Sequence, residues 1–408
     1  MSVPAKLATV ADDGARSSPW LVLAVFLRLG VTSFGGPIAH LGYFRTEFVE
    51  RRRWLDDRGF SDVVALCQFL PGPASSQVGM AIGLARAGWL GSLAAWLGFT
   101  LPSALVLIAF AYGITRHAAL ADSGAVHGLK VAAVAVVAQA VWGMARSLCP
   151  DRARSGMAIL AALLTLLLPS AVGQVCAIAF GGLLGWRFLP RSDRGASEHL
   201  SFAVSRQVGA IALILFVALL IGLPLIAAST HSALLALLQG FYRSGALVFG
   251  GGHVVLPLLQ AVVVPAGAVS EADFIAGYGA AQAIPGPLFA FAAYLGAVMH
   301  GPLAGWLGGL VFLVAIYVPA FLLLIGAVPF WDALRRRGDV QAAMAGVNAS
   351  VVGLLLAALY DPVWTSAIHA RADFGLGLAA FWLLVHGRVP PFVVVALSAL
   401  AGWLLALV

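Results

Sequence analysis

Phe26-x-Arg28-x-Gly30-x-x-x-Phe34-Gly35-Gly36 stands near the start of the chain and returns 215 positions later as Phe241-x-Arg243-x-Gly245-x-x-x-Phe249-Gly250-Gly251, with every named residue identical. Outward from this pair, Phe60 and Gln68-x-x-Pro71-Gly72-Pro73 reappear at a shift of 214 as Phe274 and Gln282-x-x-Pro285-Gly286-Pro287, and Gly91 is paired with Gly305 at that spacing. The match then thins but keeps its order: Pro102 answers Pro319, and Gly128-Leu129-Lys130 answers Gly346-Val347-Asn348. Self-similarity of this kind marks transporters built from two related halves. The chain is read as a tail at 1–19, a membrane repeat at 20–190, a linker at 191–240 and a second membrane repeat at 241–408. The linker contains an apolar stretch at 206–228 of spanning length, with no counterpart before the first repeat.

Composition fixes the solvent in which these repeats fold. Of 408 residues, 61% are hydrophobic and 10% charged, with a mean hydropathy of +0.97. A soluble domain carries about a quarter of its residues as charges. Apolar runs of about 20 residues recur along the chain, long enough to cross a bilayer as helices and too unbroken for barrel strands. The lipid bilayer is thus the expected partner. The net charge of +7 comes from basic residues in short loops between apolar segments, which read as topology signals and not as a nucleic-acid surface. Three scattered cysteines and the lack of CxxC or HExxH patterns suggest neither a disulfide framework nor a metal, and no cofactor is implied. No GxSxG elbow, Walker A or dinucleotide loop points to an enzyme. The first 19 residues lack a signal-peptide pattern and are expected to form a cytoplasmic tail.

Charge counting predicts orientation. If the segments around Phe34-Gly35-Gly36-Pro37 and Leu70-Pro71-Gly72-Pro73 enter the membrane, break and return, fifteen basic residues of the first half fall on one side, against Arg116 and Lys130 on the other. Full crossing by every segment divides the same residues far more evenly, and a rival with only the second segment re-entrant falls between the two. The fold expected is an all-α integral membrane protein of two inverted repeats with re-entrant helices, joined by a linker transmembrane helix. Four crossings per half plus the linker make nine.

The breaks are where chemistry is expected. Proline lacks an N–H and glycine weakens a helix, so Gly-Gly-Pro and Pro-Gly-Pro must interrupt it. Freed backbone groups at membrane depth are tolerated only where protein buries them or where they line a cavity. Pro73 and Pro287 suit the first position of the helices that follow, whose N-termini favour oxyanions. The backbone N–H groups of Gly35, Gly36, Gly72, Gly250, Gly251 and Gly286 are therefore candidate anion donors. Ser75, Ser76 and Gln77 add side-chain donors after the first Pro-Gly-Pro. Leu288, Phe289 and Ala290 add none after the second, which makes the expected site asymmetric.

Arg28 and Arg243 are candidates for neutralising an anion. An arginine at the bilayer centre costs at least about 2.5–3.5 kcal/mol and usually faces a cavity or a partner. Snorkelling to the interface is the competing account. Lys130, Asn348, Gln68, Gln282, His40 and His253 complete the polar candidates, with helix packing as the competing role for each. Glu47 and Glu50 with Arg51-Arg52-Arg53 read as a solvated loop, and Asp62 and Asp273 as acids at helix N-termini.

Phe34-Gly35-Gly36-Pro37, Glu50-Arg51-Arg52-Arg53-Trp54-Leu55, Gln68-Phe69-Leu70-Pro71-Gly72-Pro73, Ala87-Gly88-Trp89 and Phe249-Gly250-Gly251-Gly252-His253 resemble the long-chain chromate ion transporter family across nearly the whole chain. The resemblance implies a multi-pass protein of a prokaryotic inner membrane, efflux of chromate with sulfate as competitor, and chromate resistance. Family members often carry a carboxylate shortly after the second Gly-Gly-Gly-His, whereas Gln260-Ala261-Val262 has none. Coupling to the membrane potential, about 2.3 kcal/mol per charge per 100 mV for an expelled dianion, is then simpler than proton coupling. Uptake of sulfate or another oxyanion, and a non-transporting scaffold or enzyme, are the alternatives. A homodimer is a candidate assembly.

Overall fold

The computed structural model describes residues 17–116, 123–168, 170–190, 204–249, 252–300, 303–334 and 337–406, and their regular structure is wholly helical. The predicted tail up to residue 16, together with Gly250 and Gly251, lies outside the described residues.

Helix α1 (Pro19–Thr32) opens the first half, with Ser18 capping it and Pro19 at its first position. Helix α2 (Gly36–Arg45) follows the Gly-Gly break and runs into a π-helical turn, Thr46–Arg51. Helix α3 (Asp57–Phe69), capped by Asp56, leads through the Pro-Gly-Pro turn into α4 (Ala74–Arg116). Fourteen residues of α1 rise only roughly 21 Å, short of a hydrocarbon core about 30 Å thick, and α2 and α3 are shorter still. These lengths suit segments that enter and return. The half then continues as α5 (Gly124–Leu148), α6 (Arg152–Leu167) and α7 (Ala171–Phe188), which start on caps from Ser123, Asp151 and Ser170. In each case the oxygen takes up a backbone N–H that the helix leaves unpaired.

Helix α8 (Arg206–Thr230), in the stretch expected to link the halves, is long and apolar enough to cross a membrane and little buried. The second half repeats the first: α9 (Ala233–Leu247), α10 (Val255–Val263), α11 (Glu271–Ala283) and α12 (Phe291–Val298), with short 3-10 turns before α10 and α12. Helices α13 (Trp306–Ala327), α14 (Trp331–Leu334), α15 (Gly338–Ala358), α16 (Arg371–Val385) and α17 (Pro391–Leu405) complete it. Helix α11 begins and ends 214 positions after α3.

Two details of the sequence reading need correction. Helix α4 is kinked at Gly88 (φ 64, ψ −151), and the matching conformation is Gly305 (φ 78, ψ −144) immediately before α13. The equivalent of Gly305 is thus Gly88 and not Gly91. The identical Ala-Gly-Trp-Leu-Gly at 87–91 and 304–308 sets a shift of 217 here, the one already joining Pro102 to Pro319. Asp62 does not start a helix: it lies inside α3 and accepts a hydrogen bond from Trp331 Nε1 at 3.3 Å.

The halves interlock. Helix α5 packs against α16 and α17 of the other half, and α15 packs reciprocally against α6 and α7. His127, Val131 and Gln139 of α5 meet Asp373, Gly377 and Leu384 of α16 in rising order, so these two helices run parallel. Glycine makes the closest crossings possible. A Cβ on Gly128 would collide with the Ser398 carbonyl, and one on Gly346 with the Gly181 carbonyl. Gly128→Val and Gly346→Val should each separate a helix pair and abolish the monodisperse peak in size-exclusion chromatography. Gly143→Ala and Gly156→Ala, where a Cβ meets nothing within 4 Å, should be neutral or raise the unfolding temperature.

Candidate functional site

The breaks meet at the crossing of the two halves. After α1 the chain turns through Ser33 to Gly35 (φ 96) and Gly36 (φ 77), while Gly72 (φ 127) and Gly286 (φ 100) sit at the centres of the two Pro-Gly-Pro turns. Positive φ at these positions favours glycine. The N–H of Gly72 donates to the Val248 carbonyl at 2.7 Å, and that of Gly286 to the Ser33 carbonyl at 2.9 Å. Ser33 and Val248 are related by the repeat, as are Gly72 and Gly286, so this is one interaction made twice. It corrects the expectation that these two amides face an anion: each is already committed to a carbonyl. Pro73 and Pro287 likewise stand one residue before the helical segments that follow, as caps and not as first helical residues.

Around the first break lies a buried polar cluster. His40 Nδ1 is 3.2 Å from Ser75 Oγ, and the His40 ring meets Phe99 edge-on at 5.1 Å beside the Ser33 backbone. Ser76 Oγ is 3.2 Å from the Tyr317 hydroxyl, whose ring packs 5.5 Å from that of Trp96. Thr100 lies beside the same phenol, short of a hydrogen bond of good geometry. Gln77 Nε2 donates to the Pro71 carbonyl at 3.0 Å. Ser33 Oγ, His40 Nε2, Gln77 Oε1, Trp96 Nε1 and Thr100 Oγ1 are buried without a hydrogen-bond partner. Each such group costs about 1–3 kcal/mol. Ser75 and Ser76 thus belong to a larger constellation whose other members, Ser33, Trp96, Thr100 and Tyr317, no local motif announces.

Arg28 sits elsewhere. It lines an open groove of about 620 Å³ together with Thr32, Tyr43, Thr46, Glu47 and Arg51. Glu47 is buried. It accepts from Arg52 Nε at 2.7 Å and pairs with Arg51 at 3.5 Å. Burial pushes its carboxyl up, but the hydrogen bond from Arg52 and the charges of Arg52, Arg28 and Arg51 outweigh this and hold it below the usual carboxylate range. Arg52 and Arg86 stack over Trp54 at 5.5 and 5.3 Å, and Arg45 joins Glu50 to Asp57. Residues 46–57 therefore form an ordered ionic lid and not a merely solvated loop. The signal in the sequence was the i,i+4 spacing of Glu47 and Arg51.

The remaining candidates disperse. Arg243 is half-buried on α9 and makes no ion pair among the described residues. The repeat places Val262 and Ala266 where the first half has Glu47 and Arg51. His253 Nδ1 is 2.7 Å from the Tyr278 hydroxyl and Gln282 lies beside that phenol, so these two predicted residues do come together. Gln68 is exposed on α3. Lys130 follows Leu129, whose carbonyl closely approaches Gly279 of α11, and Asn348 carries a buried Oδ1 without a partner on α15.

The Chromate transporter family profile matches residues 20–186 and 234–403, covering both halves. A chromate transport protein of Pseudomonas aeruginosa is 28% identical over 394 residues, spanning 94% of this chain and 91% of that one. One of Cupriavidus metallidurans is 25% identical over 415 residues, 98% of each chain. A probable chromate transport protein of Synechococcus elongatus is 26% identical, over 92% of this chain and 93% of its own. No solved structure matches. With the family profile matching in both repeats, over most of the described helices, the chain belongs to the chromate transporter family.

Proposed function

We propose that this protein is a secondary transporter that moves chromate, with sulfate as competitor, out of the cytoplasm across a prokaryotic inner membrane, and so confers chromate resistance. The observation that carries the reading is the reciprocal pairing of Gly72 with Val248 and of Gly286 with Ser33, which sets two interrupted segments against each other at the junction of two halves. Transporters of this build hold their substrate at such a junction and expose it alternately by rocking one half against the other.

Opposite orientation of the halves belongs to the proposal. Support comes from α5, which runs parallel to α16 and is joined to α6 by residues 149–151 alone, a connection that suits opposite directions for α6 and its repeat counterpart α16. We place the start of the second half at α9, within the linker first drawn at 191–240, because α9 matches α1 at the repeat spacing. The groove at Arg28 serves as the cytoplasmic mouth, where Glu47 holds the place of an anion among three arginines. Arg243 supplies the cation of the second half.

In everted membrane vesicles, chromate uptake should saturate, depend on the membrane potential and fall with added sulfate. A scaffold or an enzyme would give no such flux. Arg28→Gln and Arg243→Gln should each lower the rate at least about tenfold at an unchanged amount of inserted protein, the cost of an unpaired charge near membrane depth. Wild-type rates in both variants would exclude the arginines from the pathway.

Glu47→Gln tests the mouth separately. Removing the carboxylate leaves Arg28, Arg51 and Arg52 without their counter-charge, so the KM for chromate should fall by roughly fivefold, the worth of one solvent-screened pair at contact. An unchanged or higher KM would mean that Glu47 does not compete with the substrate.

A further inference from the structure

We infer that Ser33, His40, Trp96 and Thr100 form a buried, uncharged binding site for a tetrahedral oxyanion stripped of its water, at the N-terminal turn of the helical segment that begins at Ala74. The inference rests on the transport reading and names the place where the substrate is held within it.

Four side chains from three parts of the first half converge there. Ser33 ends α1, His40 lies on α2, and Trp96 and Thr100 are one helical turn apart on α4. The Ser33 carbonyl binds Gly286, where an added Cβ would stand 2.9 Å from Ser103 Oγ and 3.3 Å from the Phe99 carbonyl. His40 touches Phe99, and its Nδ1 engages Ser75 in the first turn after the break. Trp96 meets Tyr317, which is hydrogen-bonded to Ser76 in the same turn. All four are at least nine-tenths buried, at 0%, 1%, 8% and 1% exposure, and Ser33 Oγ, His40 Nε2, Trp96 Nε1 and Thr100 Oγ1 make no hydrogen bond of good geometry, His40 lying against the Ser33 backbone and Thr100 against the Tyr317 hydroxyl.

The chemistry of the set selects the ligand. An indole N–H only donates, two hydroxyls can donate, and the imidazole has one nitrogen unused. The helical segment from Ala74 to Arg86 adds first-turn amides without helical acceptors and the positive end of its dipole. Each member of this collection can present a donor, and together they suit a compact anion rich in acceptors. Gln77, held by Nε2 to the Pro71 carbonyl with its Oε1 unpaired, is left outside the donor set.

The second half provides the internal comparison. The positions equivalent to Ser33, His40 and Trp96 are Val248, Val255 and Leu313, whereas Thr100 answers to Tyr317, whose hydroxyl belongs to the same cluster; all four are buried. The crossing therefore packs with aliphatic residues at three of the four equivalent positions. The fold does not require polar groups at Ser33, His40 and Trp96, and a ligand accounts for them.

The test measures chromate binding by titration calorimetry on the purified full-length protein in detergent, alongside flux in everted vesicles. Thr100→Val and Ser33→Ala should each weaken binding about tenfold and raise KM in step, as expected for loss of a hydrogen bond to a charged ligand. Thr100→Ser, which keeps the hydroxyl, should restore near-wild-type affinity. Thr165→Val, removing a buried hydroxyl already bound to the Ala161 carbonyl, is the control and should change neither. Flux with binding indifferent to the Thr100 and Ser33 variants would overturn the site and leave the transport reading. Saturable binding that responds to these variants, without flux, would do the reverse. Neither binding nor flux would overturn both.

Discussion

A helix broken inside a membrane leaves backbone donors and acceptors that lipid cannot satisfy, and this protein answers by pairing the breaks of one half with those of the other. Gly72 donates to Val248 and Gly286 to Ser33, at 2.7 and 2.9 Å. Each unsatisfied backbone group in hydrocarbon would cost several kcal/mol. Neither half can therefore close its own interruptions, and the two must meet where the interruptions lie. The reciprocal packing of α5 on α16–α17 and of α15 on α6–α7 follows the same logic, since each central helix is completed by the end of the opposite half.

Much of this architecture was legible from the chain alone because glycine and proline announce interruptions without reference to tertiary structure. The first Gly-Gly stands at the start of α2 and both Pro-Gly-Pro stretches lie between helical segments as expected, and the shifts of 215 and 214 align α9 with α1 and α11 with α3. The slip came after the second break. Three additional residues in the second half move the spacing to 217, and pairing single glycines there matched Gly91 to Gly305 instead of Gly88. Positive φ at Gly88 and Gly305 is the physical signature that identifies the true equivalents, and a sequence displays residue types without their dihedrals.

The site was less legible, for a different reason. Ser33, Trp96, Thr100 and Tyr317 are single residues in apolar or small-residue surroundings, separated by up to 284 positions, and their meeting depends on how the two breaks cross. Nothing in their spacing marks them. The amides of Gly72 and Gly286 raised the opposite difficulty: their release from helical bonding was readable, whereas their acceptors lie in the other repeat. Glu47 fell between these cases. Its spacing to Arg51 was visible, but its burial against Arg28 and Arg52 comes from the fold of the lid.

The distribution of charge along the proposed path has a physical consequence of its own. Guanidiniums gather at the groove around Glu47, where water and a carboxylate lower the cost of their charge, while the cluster at the break is built from neutral groups. A fixed cation deep in low dielectric would hold a dianion through an interaction that grows as water is excluded, and release would slow accordingly. Passage requires binding favourable enough to enter and weak enough to leave. Hydroxyl, indole and imidazole groups with a helix terminus replace hydration through short-range hydrogen bonds, which a small displacement of one half against the other can break together. On the proposed reading, attraction belongs to the mouth and recognition to the uncharged interior. With Val248, Val255 and Leu313 at three of the four equivalent positions, the second half does not repeat this set of donors, and recognition on this reading belongs to the first half.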